Sequence, residues 1–293
     1  MQTSVYEVSP AAKLWAFVEL LKARLSALVA FSCAFGYLLA TEGQVQWLPF
    51  FMLIAGGFLL SGASVTVNQI MEVQYDKMME RTMNRPLPTG RVSSKEAMVF
   101  AGICLLSSLA ILWLFTNPLT VCLSFLSVLL YTMVYTPMKR VGAIAVFVGA
   151  IPGALPPLLG WTACTGKASY EAFIIFAMQF IWQFPHFWAI AWLADRDYKK
   201  AGFKLLPSSG PNFSTASQMM FYTLFLIPAG LLPMAAGITG IVSAWTATLA
   251  GCIFFAQTIS LMKNQDDKAA RRIMFGSFLY LPVVQLSFLL DKI

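Results

Sequence analysis

Nine separate stretches of this chain are each roughly 20 residues long and mostly apolar, the length a helix needs to cross the hydrocarbon core of a bilayer. They run over Leu14–Ala40, Trp47–Met71, Ala97–Phe115, Pro118–Tyr135, Gly142–Thr162, Tyr170–Ala194, Ala216–Ile238, Ile241–Met262 and Ile273–Leu290. Only 11% of residues are charged against 58% hydrophobic, and the mean hydropathy is +0.71, which a soluble surface of mixed charge does not allow. The expected class is an all-α polytopic membrane protein with nine transmembrane helices. Residues 1–293 read as a single transmembrane domain with a short cytoplasmic tail over 1–13.

The formal net charge of +7 invites a nucleic-acid reading, but its distribution argues against one. Every Lys and Arg except Lys167 and Lys292 falls on one side of the nine-span arrangement. That is the positive-inside bias, so the basic balance reports topology and contact with anionic lipid rather than nucleic acid. It places the N-terminus in the cytoplasm and the C-terminus outside. No signal-peptide or transit segment precedes Leu14, so the first span is expected to serve as the targeting signal, and a bacterial plasma (inner) membrane is the simplest home. The five cysteines form no Cys-x-x-Cys pair, four of them lie within apolar runs, and they read as small buried apolar residues. The longest loops follow the second and sixth spans, four spans apart and both acidic, which hints at an internal duplication.

The first of those loops opens on a polar stripe. Asn68, Glu72, Asp76 and Glu80 are spaced four apart, and about 40° of drift per step leaves the first three on one helical face. Acids at a membrane boundary are costly without a cationic partner. Two readings stand side by side. The stripe is a solvated face whose acids pair with Lys77, Arg81 and Arg85, or it is an oxygen-only site for a hard divalent ion, Mg²⁺ above all. Pro86 and Pro88 end the helical spacing just after Arg85.

In the second loop, Asp195 and Asp197 leave the sixth span on the same side, either as a charge-balanced loop or as a second acidic cluster facing the first. Two such clusters fit two Mg²⁺ ions bridging one diphosphate. Tyr135-Thr-Pro-Met-Lys139-Arg140 closes the fourth span with two cations, an anchor or an anion contact. Lys22 and Arg24 at the mouth of the first span either reach phosphate or propionate groups or snorkel to headgroups. The Gly- and Pro-rich run Val148–Trp161 serves either close helix packing or a cavity wall. His186 is the only histidine and lies within the bilayer, either as a hydrogen-bonded core residue or, because an ionisable group is expensive there, as a functional one.

Several of these strings resemble one family. Asn-x-x-x-Glu-x-x-x-Asp followed by Glu80-Arg-Thr-x-Asn-Arg-Pro-Leu-Pro88 is similar to the first acidic motif of the UbiA-type intramembrane prenyltransferases, and the Arg-Thr-x-Asn-Arg-Pro-Leu-Pro tail to their haem O synthase (protohaem IX farnesyltransferase) branch. His186-Phe-Trp-Ala-Ile-Ala, Asp197-Tyr198-x-x-Ala-Gly and Leu206-Pro207 resemble the same branch, as does Tyr-x-x-x-Lys-Arg. The match runs from Lys22 to Pro207. Glu72 stands where the branch usually has Asp, and the Asp-x-x-x-Asp common elsewhere in the superfamily is missing, with Asp195 an extra acid.

The resemblance implies a bundle around a central cavity, with farnesyl diphosphate and haem B as substrates and one or two Mg²⁺ ions. Asn68, Glu72, Asp76, Glu80, Asp195 and Asp197 would be metal ligands. Arg85, Lys139, Arg140, Lys22 and Arg24 would bind substrate, and Tyr135 and Tyr198 would shield an allylic cation. His186 would position haem, by a propionate, the vinyl region or the iron. The product would be haem O for haem–copper oxidases, with a downstream haem-modifying enzyme as a candidate partner. A quinone-precursor or chlorophyll-type acceptor is the alternative, and a transporter of an anionic lipid-like substrate the non-enzymatic one.

Overall fold

The computed structural model describes residues 9–293, so residues 1–8 of the expected tail lie outside the described residues. Among these the regular elements are helices joined by loops, with one isolated antiparallel bridge between Thr239 and Lys292. Helix α1 (Pro10–Leu20) starts with Ser9 accepting from Ala12 N and Pro10 at its first position. It then stops. Lys22 takes a left-handed backbone (φ 45°), and α2 (Ala23–Ala40) begins anew. The single span expected over Leu14–Ala40 is therefore two helices. Side chains satisfy the carbonyls the break exposes: Leu20 O accepts from Gln69 Nε2 at 2.8 Å and Thr66 Oγ1 at 3.3 Å, and Leu21 O from Ser26 Oγ at 2.8 Å. Ion pairs fix α1 alongside: Arg91 forks onto Glu19 at 2.9 and 2.7 Å, and Lys13 pairs with Glu96.

The remaining elements follow the nine expected spans. α3 (Trp47–Met71) carries the short α4 (Val73–Asp76) beyond it, and α5 (Ser94–Phe115) follows. α6 (Pro118–Leu129) continues through a π-helical turn (Leu130–Tyr135) into α7 (Thr136–Met138). Then come α8 (Ile144–Thr165), α9 (Tyr170–Leu193) with its appended α10 (Asp195–Lys200), α11 (Phe213–Ala235), α12 (Ile241–Asn264) and α13 (Asp267–Leu290). Among the described residues, 9 helices are long and apolar enough to cross a membrane. Several begin earlier than hydropathy alone places them, because polar caps start helices without contributing apolar length. Ser93 and Glu96 form a reciprocal capping box for α5, while Asn212 and Asp266 cap α11 and α13.

The Gly/Pro-rich α8 packs tightly against α2. A Cβ on Gly36 would meet the Pro157 carbonyl, and one on Gly160 the Cys33 carbonyl, so these glycines serve close helix approach. Of the cysteines, Cys33 and Cys104 are buried as expected, whereas Cys122 and Cys252 are exposed on the bundle's outer surface. The apolar exterior includes Leu106, Trp113, Leu114 and Leu249, which is the surface a hydrocarbon solvent calls for.

One end of the bundle gathers the cationic loops. Lys204 N donates to Lys139 O at 2.8 Å, Arg81 N to Asp197 Oδ2 at 3.2 Å, and Lys200 pairs with Glu80 at 2.7 Å. The two long loops dock through a small apolar cluster of Met79, Ala201 and Phe203, flanked by Tyr75 and Tyr198. The opposite end is closed by the C-terminal residues, with Gly240 N donating to Asp291 O at 2.7 Å and Ile293 N to Ile238 O at 3.1 Å. The two loop-bearing helices also break alike. Glu72 (φ −102°, ψ 6°) separates α3 from α4, and Ala194 (φ −96°, ψ 8°) separates α9 from α10.

Candidate active site

The break at Glu72 does not scatter the polar stripe. Glu72 N still bonds Asn68 O at 3.0 Å and Asp76 N bonds Glu72 O at 2.8 Å, so the four-residue register passes through the kink. Asn68, Glu72 and Asp76 are all buried and form one wall of a cavity of about 150 Å³ at the cationic end. Opposite stand Lys22, Arg85 and Lys139, with Tyr135 and Tyr198 completing the aromatic side.

The charges in this pocket are matched. Arg85 Nη1 lies 2.9 and 2.8 Å from the two oxygens of Asp76, a carboxylate with no exposed surface. Lys139 Nζ sits 2.8 Å from Glu72 Oε1 and 4.8 Å from the centre of the Tyr135 ring. Burial works against the Lys139 charge, but the Glu72 carboxylate outweighs it and holds the ammonium above its ordinary pKa. Among the described residues Lys22 has no such partner. Burial first, then the nearby Arg85 and Lys139 charges, push its pKa down to about 7. The left-handed backbone at the α1–α2 break brings this lysine to the pocket.

Aromatic placement depends on the π turn. Thr136 N and Oγ1 both reach back to Tyr131 O, an i to i−5 pairing ahead of Pro137, which has no N–H to give. Tyr135 then fits against Gly149, where a Cβ would stand 2.6 Å from its ring. Asn68 Nδ2 donates to Thr136 Oγ1 at 3.0 Å, tying the acidic wall to the same turn.

Six other residues singled out from the sequence lie elsewhere. Glu80 is exposed and pairs with Lys200, and Asp195 pairs with Lys199 at 2.7 Å. Asp197 accepts from Arg81 N and so joins the two loops rather than lining the cavity. Arg140 reaches the Tyr75 hydroxyl and stacks over that ring at 5.1 Å. Arg24 is exposed, and His186 sits between α9 and α13 away from this pocket. Conversely, the lining includes Tyr131, Met79, Phe203 and Leu205, which no sequence motif marks, and Arg81, expected only as a partner of the acids. Tyr131 had a signal: Tyr131, Tyr135 and Lys139 repeat at four-residue spacing, as the acidic stripe does.

Among the described residues no three acidic, histidine or cysteine side chains gather as a metal cluster. The donor set nonetheless fits a hard ion held largely by water and a substrate's phosphates. Mg²⁺ is commonly bound through only one or two protein carboxylates. Glu72 Oε1 is buried and, despite its close ammonium, has no aligned hydrogen-bond donor. The Asn68 amide and the Asp76 carboxylate add oxygen on the same wall.

Together these features define an integral membrane bundle with one buried, cation-lined pocket at the end where its long loops meet. The chain belongs to the UbiA prenyltransferase family, whose pattern residues 29–281 match. It is 48% identical over 284 residues to the protoheme IX farnesyltransferase of Cytophaga hutchinsonii, covering 97% of this chain and 99% of that one. It is 43% identical over 283 residues to the protein of that name from Flavobacterium psychrophilum, with 94% of each covered. The motif resemblance to this branch is thus borne out along nearly the whole chain.

The fold is shared with solved membrane proteins. A digeranylgeranylglyceryl phosphate synthase structure superposes with a TM-score of 0.78 at 20% identity, covering 95% of this chain and 98% of that one. The apo UbiA homologue of Aeropyrum pernix K1 gives 0.72 at 19%, covering 92% and 98%. A UbiA homologue from Archaeoglobus fulgidus, bound to GPP and Mg²⁺, gives 0.62 at 15%, covering 93% and 99%.

Proposed function

We infer that this protein transfers a farnesyl group from farnesyl diphosphate to a vinyl group of haem B, giving haem O and diphosphate. The observation that carries the donor half is the pocket itself. Lys22, Lys139 and Arg85 face a carboxylate and amide wall inside a low-dielectric bundle, where charge complementarity acts strongly. The acceptor half rests on relatives named for protoheme that cover nearly the whole chain.

Asn68, Glu72 and Asp76 would hold Mg²⁺, whose bound charge would neutralise the diphosphate and favour its departure. For that, Arg85 and Lys139 must exchange their carboxylate partners for phosphate oxygens. Lys22, without an ion-pair partner among the described residues and with its pKa lowered to about 7, would add a third cation when an anion arrives. The C–O bond of the donor breaks, and diphosphate leaves with the electron pair. Tyr135 and Tyr198 line the pocket and would offer their rings to the allylic cation, while a bilayer-embedded pocket would limit early quenching by water. The terminal vinyl carbon then forms the new C–C bond, and water adds to the remaining cation with loss of a proton.

The whole chain is proposed as one transmembrane prenyltransferase domain, because one apolar core runs from Cys33 to Phe288. It would sit in a bacterial inner membrane with its cationic end and N-terminus in the cytoplasm and its C-terminus outside. A haem-modifying enzyme that takes the product is the partner this activity calls for. The test is transfer from radiolabelled farnesyl diphosphate in reconstituted protein, with and without Mg²⁺ and haem B. A farnesylated haem formed only with both is expected. Label appearing instead in an aromatic acid or chlorophyll-type ring would overturn the acceptor. Donor transport across the bilayer with no chemistry would overturn the enzyme reading.

A further inference from the structure

His186 is held by a specific set of contacts that the donor pocket does not use. Its imidazole stacks on Trp182 with centroids 4.5 Å apart and planes 16° off parallel, and its edges meet Phe187 and Phe278. Nδ1 lies 2.8 Å from Ser277 Oγ on α13. Trp182 Nε1 donates to the Ser277 carbonyl at 3.1 Å, so the serine fixes both stacked rings.

The hydroxyl decides the tautomer. Ser277 Oγ donates its only proton to Met274 O at 2.6 Å. Towards His186 it can therefore only accept, and Nδ1 must carry the ring proton. A neutral imidazole protonated at Nδ1 has its lone pair on Nε2, and no hydrogen-bond partner among the described residues meets that atom. The ring is half-buried, beside the exposed face of Phe278. A histidine that donates one N–H to a fixed acceptor and offers the other nitrogen bare is the arrangement metal-ligating histidines adopt.

We propose that Ser277 is a positioning residue that locks His186 in the Nδ1–H tautomer, presenting Nε2 to the iron of a porphyrin seated on the aromatic face between α9 and α13. The inference rests on the haem acceptor reading. It assigns to that acceptor a contact on a different part of the bundle from the diphosphate pocket.

His186 is the sole histidine, so a ¹⁵N-histidine label in full-length protein with a histidine-free tag reports one ring. The expected spectrum shows Nδ1 protonated and Nε2 bare in wild type and in Ser277→Thr, with the tautomers mixed in Ser277→Ala. A protonated Nε2 in wild type, or a spectrum unchanged by Ser277→Ala, would overturn the assignment. Haem B and metal-free protoporphyrin IX are then titrated separately. Haem should bind at least about tenfold more weakly to Ser277→Ala and His186→Ala, the scale on which losing the partner behind a ligand acts, with Ser277→Thr near wild type. Metal-free porphyrin should be indifferent to all three, and the KM for farnesyl diphosphate unchanged. Equal weakening of both porphyrins would remove the iron contact, and lowered Tm with unchanged haem affinity would reduce the pair to a helix tie. Wild type that prenylates another acceptor but not haem overturns the acceptor reading and the iron contact with it, while the ¹⁵N spectrum still decides the tautomer lock.

Discussion

Replacing Arg85 by Gln should expose how the empty pocket is held together. The Asp76 carboxylate is fully buried, and both its oxygens are met by Arg85 Nη1 at 2.9 and 2.8 Å. Its other near contact, Thr82 Oγ1, goes to the backbone carbonyl instead. Removing one partner of a buried ion pair strands the other charge and costs about 3–5 kcal/mol. Replacing both partners by neutral groups is close to neutral. Arg85→Gln is therefore expected to cost about 3 kcal/mol, the low end of that range, since the glutamine amide can still donate to the carboxylate. Asp76→Asn/Arg85→Gln should lie within about 1 kcal/mol of wild type, about 2 kcal/mol less destabilised than Arg85→Gln alone. Denaturant unfolding in micelles, followed by tryptophan fluorescence, reads these differences. Mg²⁺ supplies the second arm. If Asp76 belongs to a metal site, the ion should stabilise Arg85→Gln by about 2.7 kcal/mol at 100 times that variant's Kd, and wild type by less at the same concentration. Additive single and double mutants would refute the pair as the pocket's brace. A Mg²⁺ effect that survives Asp76→Asn unchanged would remove Asp76 from the metal site.

Lys22 should leave a mark on the pH dependence of stability. Its folded pKa of about 7 lies below the ordinary 10.5, so between those values the unfolded chain binds more protons and stability rises with pH. Lys22→Met should flatten that rise in unfolding midpoints measured across the window. Gly149→Ala places a methyl 2.6 Å from the Tyr135 ring, and overpacking of this kind costs about 1–3 kcal/mol; the Tm should fall and the KM for farnesyl diphosphate rise. Glu80→Ala should change stability by less than about 0.5 kcal/mol and leave the Mg²⁺ dependence of transfer intact, because its pairing with Lys200 is at the surface. Reporter fusions should place Arg91, Lys204 and Lys268 in the cytoplasm and the C-terminus outside; a C-terminal reporter active in the cytoplasm would reverse the proposed topology.

Whatever is local or periodic can be read along the chain before it packs. Apolar length marked the nine spans, since crossing a bilayer is a property of each segment alone. The cationic loops marked one end of the bundle, and four-residue spacing put Asn68, Glu72 and Asp76 on one face, which survives even the kink at Glu72. Tertiary structure decided which partner each charge takes. Nothing local distinguishes Asp76, buried against Arg85, from Glu80 one turn on, which faces solvent and Lys200. The break at Lys22 was likewise hidden, because its carbonyls are satisfied by Thr66 and Gln69 from α3, far along the chain. So was the acceptor for His186, since Ser277 stands 91 residues away and comes within 2.8 Å only when α9 packs on α13. Hydropathy and helical period are summed along the chain, whereas hydrogen bonds and ion pairs act over a few ångströms of space, and only the packed bundle fixes which groups lie that close.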